Sequence, residues 1–360
     1  MIETCELSKD FKDFRAVDRV TFTVAPGEIF AMLGPNGAGK TTTVRMLTSI
    51  LKPTAGWARV AGYDVVAQPT AVRASVGVLT EQHGLYERMK GEEYLDFFAR
   101  IYDLPPEVRR RRPRQLMEHF GLGDALNKRL GEYSKGMKQK LALVRAMLHD
   151  PPVLLLDEPT SAMDPQSAKL VREAIKELRR EERTIAITTH NLIEAEDLAD
   201  HIAVIRQGRI IAHGTFAELS GRFVGAPLME LRLARHLNGA IDTLREMVAI
   251  VETGDCWLRY RAPDPALTNP QVIRRLTGAG LDIVTLSEVS RTLEDVYLQI
   301  VAEDEGTASH DQPGRAHRAG QSPARRAGRP VEPGDGRPHA APRPDRHPPR
   351  AAQQPARLAD

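Results

Sequence analysis

Cysteine and long apolar runs are both scarce in this chain of 360 residues. Its two cysteines, Cys5 and Cys256, lie far apart in sequence, which excludes a small disulfide scaffold and offers no metal-ligand spacing. No apolar run approaches the ~18 residues that a membrane-spanning helix needs. The first ten residues also lack the apolar stretch of a signal peptide. We therefore expect a protein that is made and kept in the reducing cytoplasm.

An excess of positive charge is missing everywhere except at the end of the chain. Residues 306–360 hold ten Arg against five acids, whereas the first 305 residues carry 40 basic and 43 acidic groups. The body of the chain thus has a small negative net charge, which argues against a nucleic-acid-binding surface. We expect no nucleic acid among its partners.

The end of the chain contains ten of the 25 prolines and almost no large aliphatic side chain. Such a segment cannot bury enough apolar surface to offset the entropy of ordering, so we predict that residues 304–360 form a disordered Pro/Arg/Ala-rich tail. Its composition is that of a GC-rich gene read in the wrong frame, and we hold this origin as a hypothesis. A tether to nucleic acid or anionic lipid is the weaker interpretation, because the arginines are dispersed without interleaved aromatic residues.

Alternating strands and helices precede this tail. Short apolar runs favour strands that helices cover on both faces, and a Gln207-Gly208 turn between two such runs predicts a hairpin. The pattern indicates an α/β nucleotide-binding domain with an antiparallel part, here over residues 1–220. The runs that predict strands lie at residues 28–33, 153–156, 184–188, 202–205 and 209–212.

Strand signals vanish between residues 86 and 150, where residues 92–102 and 114–120 have the periodicity of amphipathic helices. We predict a helical subdomain in this stretch. The arginine run at 109–112 could mark a localisation signal or an RNA-binding patch, but a solvated helix face is the more common origin of such a run and is the interpretation we favour.

A second unit is predicted over residues 221–303. Its order βαββαβ, followed by one more helix, indicates a small ferredoxin-like α+β domain without a catalytic cluster. The predicted strands lie at 227–234, 250–253, 256–261 and 282–287, and the predicted helices at 240–249, 269–278 and 291–302.

The strongest signal is a glycine-rich segment between the strand at 28–33 and a helix. It matches GxxxxGK[ST], in which glycines let successive backbone N–H groups turn toward phosphate oxygens at a helix start. Lys40 would reach the outer phosphates of a nucleotide, and the Thr41 hydroxyl would ligate Mg²⁺. An ordinary glycine turn is the alternative, but it would not require a lysine and a threonine directly after the last glycine. The candidate nucleotide-binding residues are Gly34, Pro35, Asn36, Gly37, Ala38, Gly39, Lys40, Thr41 and Thr42.

Two acids end the apolar strand at 153–156. Asp157 would hold Mg²⁺ through water, and Glu158 would face the attacking water as general base, because successive side chains cannot perform the same task. A pair that merely caps the strand before Pro159 is the alternative, and it would be favoured if the phosphate loop were absent. Together the two motifs predict a phosphate-binding site with a hydrolytic base.

With these motifs the sequence resembles the ATP-binding cassette (ABC) family, and further segments follow in the family's order. Residues 133–139, YSKGMKQ, resemble the signature loop LSGGQ, with a lysine and a methionine in place of Gly and Gln. The resemblance implies that Ser134 and the backbone at Gly136 form a second phosphate-binding helix start. It identifies Asp164 as part of the D-loop and His190 as the switch histidine, although a lone histidine at a strand end is more often structural.

Two further site residues depend on the resemblance most. It implies that Phe11 stacks on adenine. Phe14 is a second candidate for this position, and Phe11 could instead be a buried core residue. Where the family usually has the Q-loop glutamine this chain has Glu81, followed by Gln82, and either could be the sensor. A glutamate can still ligate Mg²⁺, but it adds a negative charge.

The resemblance covers residues 1–220 closely and residues 221–303 more loosely, where TLEDVYL at 292–298 looks like the extension of ABC-2 exporters of drugs, ions or polysaccharides. It implies an ATP-hydrolysing subunit that pairs with a second copy and holds each ATP between the two. A separate ABC-2 permease would keep it peripheral on the inner face of the cell membrane. In this architecture the permease, and not the ATPase subunit, would select the transported substrate.

Two alternatives belong to other classes. A soluble cassette ATPase acting on ribosomes or DNA would generally carry two cassettes or a long coiled-coil insertion, and this chain has one phosphate loop and no sustained heptads. A regulatory, non-catalytic ATP-binding module would be expected to lose Glu158 or His190, and both are present. We therefore favour the exporter ATPase.

Overall fold

The computed structural model describes residues 1–80, 84–161, 163–179, 183–237 and 239–310. Glu81 and Gln82, the two candidates for the Q-loop sensor, lie outside the described residues, as does the predicted tail from residue 311 onward. Contacts divide the chain into one unit, Met1–Gln312, and a second, Pro313–Asp360. All elements below belong to the first unit.

The strands and helices alternate along the chain as predicted. The strands are β1 (Ile2–Phe11), β2 (Phe14–Val24), β3 (Ile29–Leu33), β4 (Ala55–Val60), β5 (Tyr63–Asp64), β6 (Val76–Leu79), β7 (Val153–Asp157), β8 (Thr184–Thr189), β9 (His201–Arg206), β10 (Arg209–Gly214), β11 (Leu228–Leu233), β12 (Ala249–Thr253), β13 (Trp257–Arg261) and β14 (Ile283–Glu288). The helices are α1 (Lys40–Leu47), α2 (Pro69–Ser75), α3 (Gly91–Ile101), α4 (Pro106–His119), α5 (Lys135–Met147), α6 (Pro165–Arg179), α7 (Leu192–Leu198), α8 (Phe216–Phe223), α9 (Ala240–Leu244), α10 (Pro265–Gly278) and α11 (Leu293–His310).

The central sheet has the order β10-β9-β3-β8-β7-β6. Its strands run parallel except β10, which returns from β9 as the predicted hairpin. Every residue of β3, β7 and β8 is buried, which confirms that these apolar runs are covered on both faces. Because β8 pairs with both β3 and β7, the segments that follow these three strands meet at one edge of the sheet.

A second, antiparallel sheet has the order β2-β1-β4-β5. Its β2 is joined to the central sheet through aromatic packing: the Phe22 ring stacks on the Phe30 ring of β3, with centroids 4.6 Å apart. Both rings belong to one buried cluster that also includes Val44 of α1. This packing fixes the β1-β2 hairpin beside the start of α1.

The stretch between β6 and β7 is helical, as predicted, with Tyr94, Leu95 and Met117 fully buried. The predicted helix at 114–120 is longer than expected, because α4 already starts at Pro106. A proline is tolerated at the first position of a helix, since the backbone N–H that it lacks would have no partner there. In the arginine run, Arg110 and Arg111 are exposed as predicted. Arg112 differs: it donates to the Asp150 carboxylate at 2.6 Å and so ties α4 to the end of α5.

The strands from β11 onward form a third sheet of order β12-β13-β11-β14, antiparallel throughout. With α9 after β11 and α10 after β13, the topology is the predicted βαββαβ arrangement. Its own buried cluster contains Leu231 and Tyr260 of the sheet with Leu244 and Leu276 of the helices. The division of the chain into domains at residue 220 stays a prediction.

The last helix, α11, packs differently from the prediction that grouped residues 291–302 with the C-terminal sheet. Leu293, Val296 and Ile300 belong to the buried cluster of the central sheet and its helices. The helix also continues through residues 304–310, where the tail was predicted to begin. Arg206 of β9 holds the first residues of this extension, because it donates to Asp304 at 2.9 Å and to Glu305 at 2.6 Å.

No helix within the described ranges is long and apolar enough to cross a membrane. Even α11, at 18 residues, carries acidic side chains in its first turn and again near residue 304.

The packing of α11 leads to a stability prediction. Leu293→Ala should lower the free energy of unfolding by about 2 to 5 kcal/mol, because it empties a fully buried site in the central cluster. Leu298→Ala in the same helix is the control, since that side chain is 58% exposed and should change stability by no more than about 0.5 kcal/mol. Thermal or urea unfolding measures both, and equal effects of the two substitutions would contradict the described packing.

Candidate functional site

The glycine-rich segment forms a tight loop from the end of β3 to the start of α1. Gly37 and Gly39 have left-handed backbones, with φ of 81° and 104°. At Gly34 a β-carbon would meet the Ile205 carbonyl oxygen at 2.2 Å, and at Gly39 it would meet the Ala16 carbonyl oxygen at 2.6 Å. Only glycine therefore allows this loop to lie so close to β9 and β2, with the first N–H groups of α1 left for a ligand.

A cavity of about 560 Å³ opens above this loop. The predicted phosphate-loop residues from Pro35 to Thr42 line it, together with Glu158 and His190 from the ends of β7 and β8. Gly34 lies beneath it and accepts a hydrogen bond from Lys40. The structure thus brings the predicted phosphate loop, base and switch histidine into one site.

Lys40 is nearly buried at the centre of the loop. Its Nζ donates to the carbonyl oxygens of Gly34 at 2.6 Å and Pro35 at 3.2 Å, and lies 3.4 Å from Glu158 Oε1. A cation held in this way by carbonyl dipoles and one carboxylate gives the cavity a fixed positive charge suited to phosphate.

Glu158 has the most constrained position in the site. Its backbone is left-handed, with φ of 53°, and its N–H donates to the Thr188 carbonyl at 2.9 Å. One carboxylate oxygen, Oε2, lies 2.8 Å from His190 Nδ1. The other, Oε1, is buried and makes no hydrogen bond within the described residues, its nearest charge being Lys40 at 3.4 Å. A buried oxygen without a donor is the arrangement expected of a proton acceptor that faces a substrate water.

Asp157 and Thr41 provide oxygen atoms of the kind that Mg²⁺ binds. The Thr41 hydroxyl donates to one Asp157 oxygen at 3.0 Å, and the Thr188 hydroxyl donates to the other. In the described residues no group of three His, Cys, Asp or Glu side chains could hold a metal unaided. The pair therefore fits an ion that takes its remaining ligands from water and phosphate oxygens, as Mg²⁺ commonly does.

Two aromatic rings compete for the position over the mouth of the cavity. Phe14 lines the cavity and is 62% exposed, whereas Phe11 is not among the lining residues. The Lys9 ammonium lies over the Phe11 ring, 5.3 Å from its centroid. The geometry favours Phe14 over the predicted Phe11 as the ring that would stack on a base.

Ser134, Gly136 and Asp164 do not line this cavity. Ser134 caps α5 by accepting from the Met137 N–H at 3.2 Å, and Asp164 opens α6 by accepting from the Ser167 N–H at 2.9 Å. Hydrogen bonds from Ser167 hold the pKa of Asp164 below its usual range. A β-carbon on Gly136 would lie 3.6 Å from Ser167 Oγ, so these two helix starts are neighbours away from the cavity.

Several residues that order the site had no task of their own in the sequence analysis. Gln139 donates to the carbonyl oxygens of Glu158 at 3.2 Å and Pro159 at 2.9 Å and so fixes the backbone beyond β7. Its sequence signals are its place at the end of the 133–139 segment and its polar side chain on the buried face of α5. Ser161 lines the cavity, and Thr188 binds Asp157. Glu194 is buried near them on α7, where an acid would ordinarily be taken for a surface residue.

Comparisons with known proteins agree with this geometry. The model of a family described as ABC transporter matches residues 17–161. The daunorubicin resistance ATP-binding protein DrrA3 of Streptomyces coeruleorubidus is 36% identical over 297 residues, 82% of this chain and 94% of the relative. The ABC transporter ATP-binding protein NatA of Bacillus subtilis is 41% identical over 224 residues, 61% of this chain and 91% of the relative.

Solved structures give the same fold. A structure of the ATP-binding subunit of an ABC transporter is 32% identical with a TM-score of 0.58, covering 62% of this chain and 94% of its own. The dimeric structure of the bacterial ABC transporter cassette MJ0796, 23% identical with a TM-score of 0.56, covers 60% of this chain and 98% of its own and supports the fold alone. With its phosphate loop, paired acids and switch histidine in one site, the chain belongs to the family of ABC transporter ATP-binding proteins.

Proposed function

We propose that this chain binds and hydrolyses ATP to power an exporter whose membrane-spanning part is a separate ABC-2 permease. The observation that carries the proposal is the Glu158 carboxylate, which lies 3.4 Å from Lys40 of the phosphate loop and 2.8 Å from His190. A base, a cation and a histidine at a phosphate-binding helix start are the parts that phosphoryl transfer to water requires.

In the proposed reaction each residue has one task. The N–H groups of the loop and the Lys40 ammonium bind the outer phosphates and neutralise charge on the γ-phosphate. Glu158 accepts a proton from water through Oε1 while the water oxygen bonds to the γ-phosphorus and the bond to the β-γ bridging oxygen breaks. His190 holds Oε2 and so keeps Oε1 aimed at that water.

Mg²⁺ would be held at this site by the Thr41 hydroxyl and, through water, by Asp157. Bound there, it would neutralise charge on the β- and γ-phosphates. Thr188 keeps the Asp157 carboxylate in place by donating to its other oxygen. Glu81, the remaining predicted metal ligand, lies outside the described residues.

A second copy of the chain would complete the site. Ser134, Gly136 and Asp164 lie outside the cavity of their own chain. One side of a bound γ-phosphate would therefore stay uncovered by this chain. Two chains facing head to tail would bring the α5 start of one to the phosphates of the other, where Ser134 and the α5 N–H groups supply further donors. ATP would then bridge the two copies, and hydrolysis would release them.

The expected location follows from the partner. An ABC-2 permease would hold this subunit peripherally on the inner face of the cell membrane. The named relatives support an export role, since DrrA3 is a daunorubicin resistance protein. Nothing in the comparisons supports the alternative of action on ribosomes or DNA. The presence of both Glu158 and His190 argues against a regulatory, non-catalytic module.

Replacing Glu158 by glutamine tests the proposed base. Glu158→Gln should lower kcat of ATP hydrolysis by about 10² to 10⁴, the usual contribution of a general base, because an amide cannot accept the proton. The same protein should bind ATP with unchanged affinity. Steady-state phosphate release and equilibrium nucleotide titration measure the two quantities.

Lys40→Ala is the matched comparison, because it should abolish ATP binding rather than turnover of bound ATP. Wild-type turnover in Glu158→Gln would rule out Glu158 as the base, and normal ATP affinity in Lys40→Ala would rule out the cavity as the nucleotide site.

The two aromatic rings can be distinguished by ATP affinity. Phe14→Ala should weaken ATP binding by about 1 to 3 kcal/mol, the value of a base stacked on an aromatic ring, whereas Phe11→Ala should leave the Kd unchanged. Isothermal titration of both variants with ATP measures the difference. The reverse ranking would make Phe11 the stacking ring and Phe14 an exposed hairpin residue.

Association of two copies should depend on uncleaved ATP. In size-exclusion chromatography with ATP and Mg²⁺, Glu158→Gln protein should elute as a dimer, and ADP should return it to a monomer. Adding Ser134→Glu to this variant should keep it monomeric, because a carboxylate would then face the γ-phosphate. A Glu158→Gln protein that stays monomeric in ATP would contradict the shared site.

A further inference from the structure

The helix that follows His190 buries a carboxyl group for which the proposed reaction has no use. Glu194 of α7 is 1% exposed. Its Oε1 accepts a hydrogen bond from the Thr160 hydroxyl at 2.7 Å. Asn191 caps the same helix and accepts from the Glu194 N–H at 3.3 Å. The glutamate thus points inward from the first turn of α7.

Thr160 and Glu194 belong to the two segments that carry the catalytic pair. Thr160 follows Glu158 and Pro159 at the start of the segment that leads to Asp164, and α7, which carries Glu194, begins directly after His190 and the capping Asn191. These segments leave different strands, β7 and β8, and between them they place the Glu158 carboxylate 2.8 Å from His190. The hydrogen bond from Thr160 to Glu194 therefore ties the segment of Glu158 to the segment of His190.

Burying this carboxyl group is costly, which argues that its contacts matter. Burial raises the pKa of Glu194, and the neighbouring Glu158 raises it further, whereas the nearby hydroxyls of Thr189 and Thr160 and the charge of Arg172 lower it. Arg172 is itself engaged by Asp197 at 3.0 Å. A glutamate that meets hydroxyl donors in the interior, instead of a bound cation, gains less from burial than an apolar side chain of its size would.

We propose that Glu194 is a positioning residue, which sets the alignment of Glu158 with His190 by holding the Thr160 hydroxyl at a fixed place. The inference rests on the proposed ATP hydrolysis. Glu194 is not among the residues that line the cavity, so it acts on turnover rather than on nucleotide binding. A small displacement of a catalytic group is enough for a large loss of rate.

Substitutions on α7 and at Thr160 test this role through separate values of kcat and of KM for ATP. Glu194→Ala should lower kcat by about 10-fold to 100-fold, in the range of a misplaced catalytic group, while KM changes less than about threefold. Glu194→Gln, whose amide oxygen can still accept from the Thr160 hydroxyl, should recover most of the lost kcat. Glu196→Gln, two residues along the same helix and exposed, is the control and should keep the wild-type kcat.

Thr160→Val supplies the second arm, because it removes only the hydroxyl and keeps the shape of the side chain. It should lower kcat on its own and cause no further loss in the Glu194→Ala protein, since the contact is already gone there. Additive losses would overturn the inference. Wild-type kcat in folded Glu194→Ala and Thr160→Val proteins would also overturn it. Should Glu194→Ala fail to fold, Thr160→Val decides alone: a lowered kcat with unchanged KM supports the inference, and a wild-type kcat overturns it.

The failure of this inference can be distinguished from failure of the proposed function. A wild-type protein whose phosphate release does not depend on Glu158 would remove the proposed hydrolysis and this inference together. Release that depends on Glu158 but is unaffected by Glu194→Ala and by Thr160→Val would remove the inference alone. Thermal midpoints of all variants show that the compared proteins are folded.

Discussion

The contact of Glu158 with Lys40 on one side and His190 on the other is the interaction on which the site depends. The contact requires that β3, β7 and β8 end at the same edge of one parallel sheet, so that the segments after them meet there. The sheet fixes only the positions of the strand ends, and side-chain contacts supply the rest. Gln139 holds the carbonyls of Glu158 and Pro159, and the left-handed backbone at Glu158 turns its carboxylate toward Lys40 rather than along the strand. The left-handed backbone of a non-glycine residue is strained, and here the strained residue is the proposed catalytic base.

The sequence was most informative where chemistry and backbone conformation are specified by the same few residues. The glycines of the phosphate loop, the buried strand before Asp157 and the histidine after β8 could be predicted because each constraint is local. The choice between Phe11 and Phe14 could not be made in this way. Phe11 ends β1 and Phe14 begins β2, and the two residues pair directly across the hairpin. A pattern of apolar residues therefore suits either ring equally well.

The last helix shows a second limit of sequence reasoning. The spacing of Leu293, Val296 and Ile300 predicts a helix with one apolar face, but the same spacing would suit either the central cluster or the cluster of the C-terminal sheet. The structure decides for the central cluster. Past the apolar part, Arg206 binds Asp304 and Glu305 of the same helix. A composition that looks like the beginning of a tail is therefore tied to β9 by two charged contacts that apolar periodicity does not register.

The helix α7 illustrates why the supporting residues of a site are harder to predict than the reacting ones. Glu194 and Glu196 lie two positions apart, and nothing in their chemistry distinguishes them. One turns inward to Thr160, and the other accepts from the Leu293 N–H at 2.9 Å at the start of α11. Because Asn191 fixes where α7 begins, a single helix start determines which carboxylate faces the site and which faces the last helix. The roles of both residues thus follow from the rotation of one short helix, a property of the packed fold that no motif encodes.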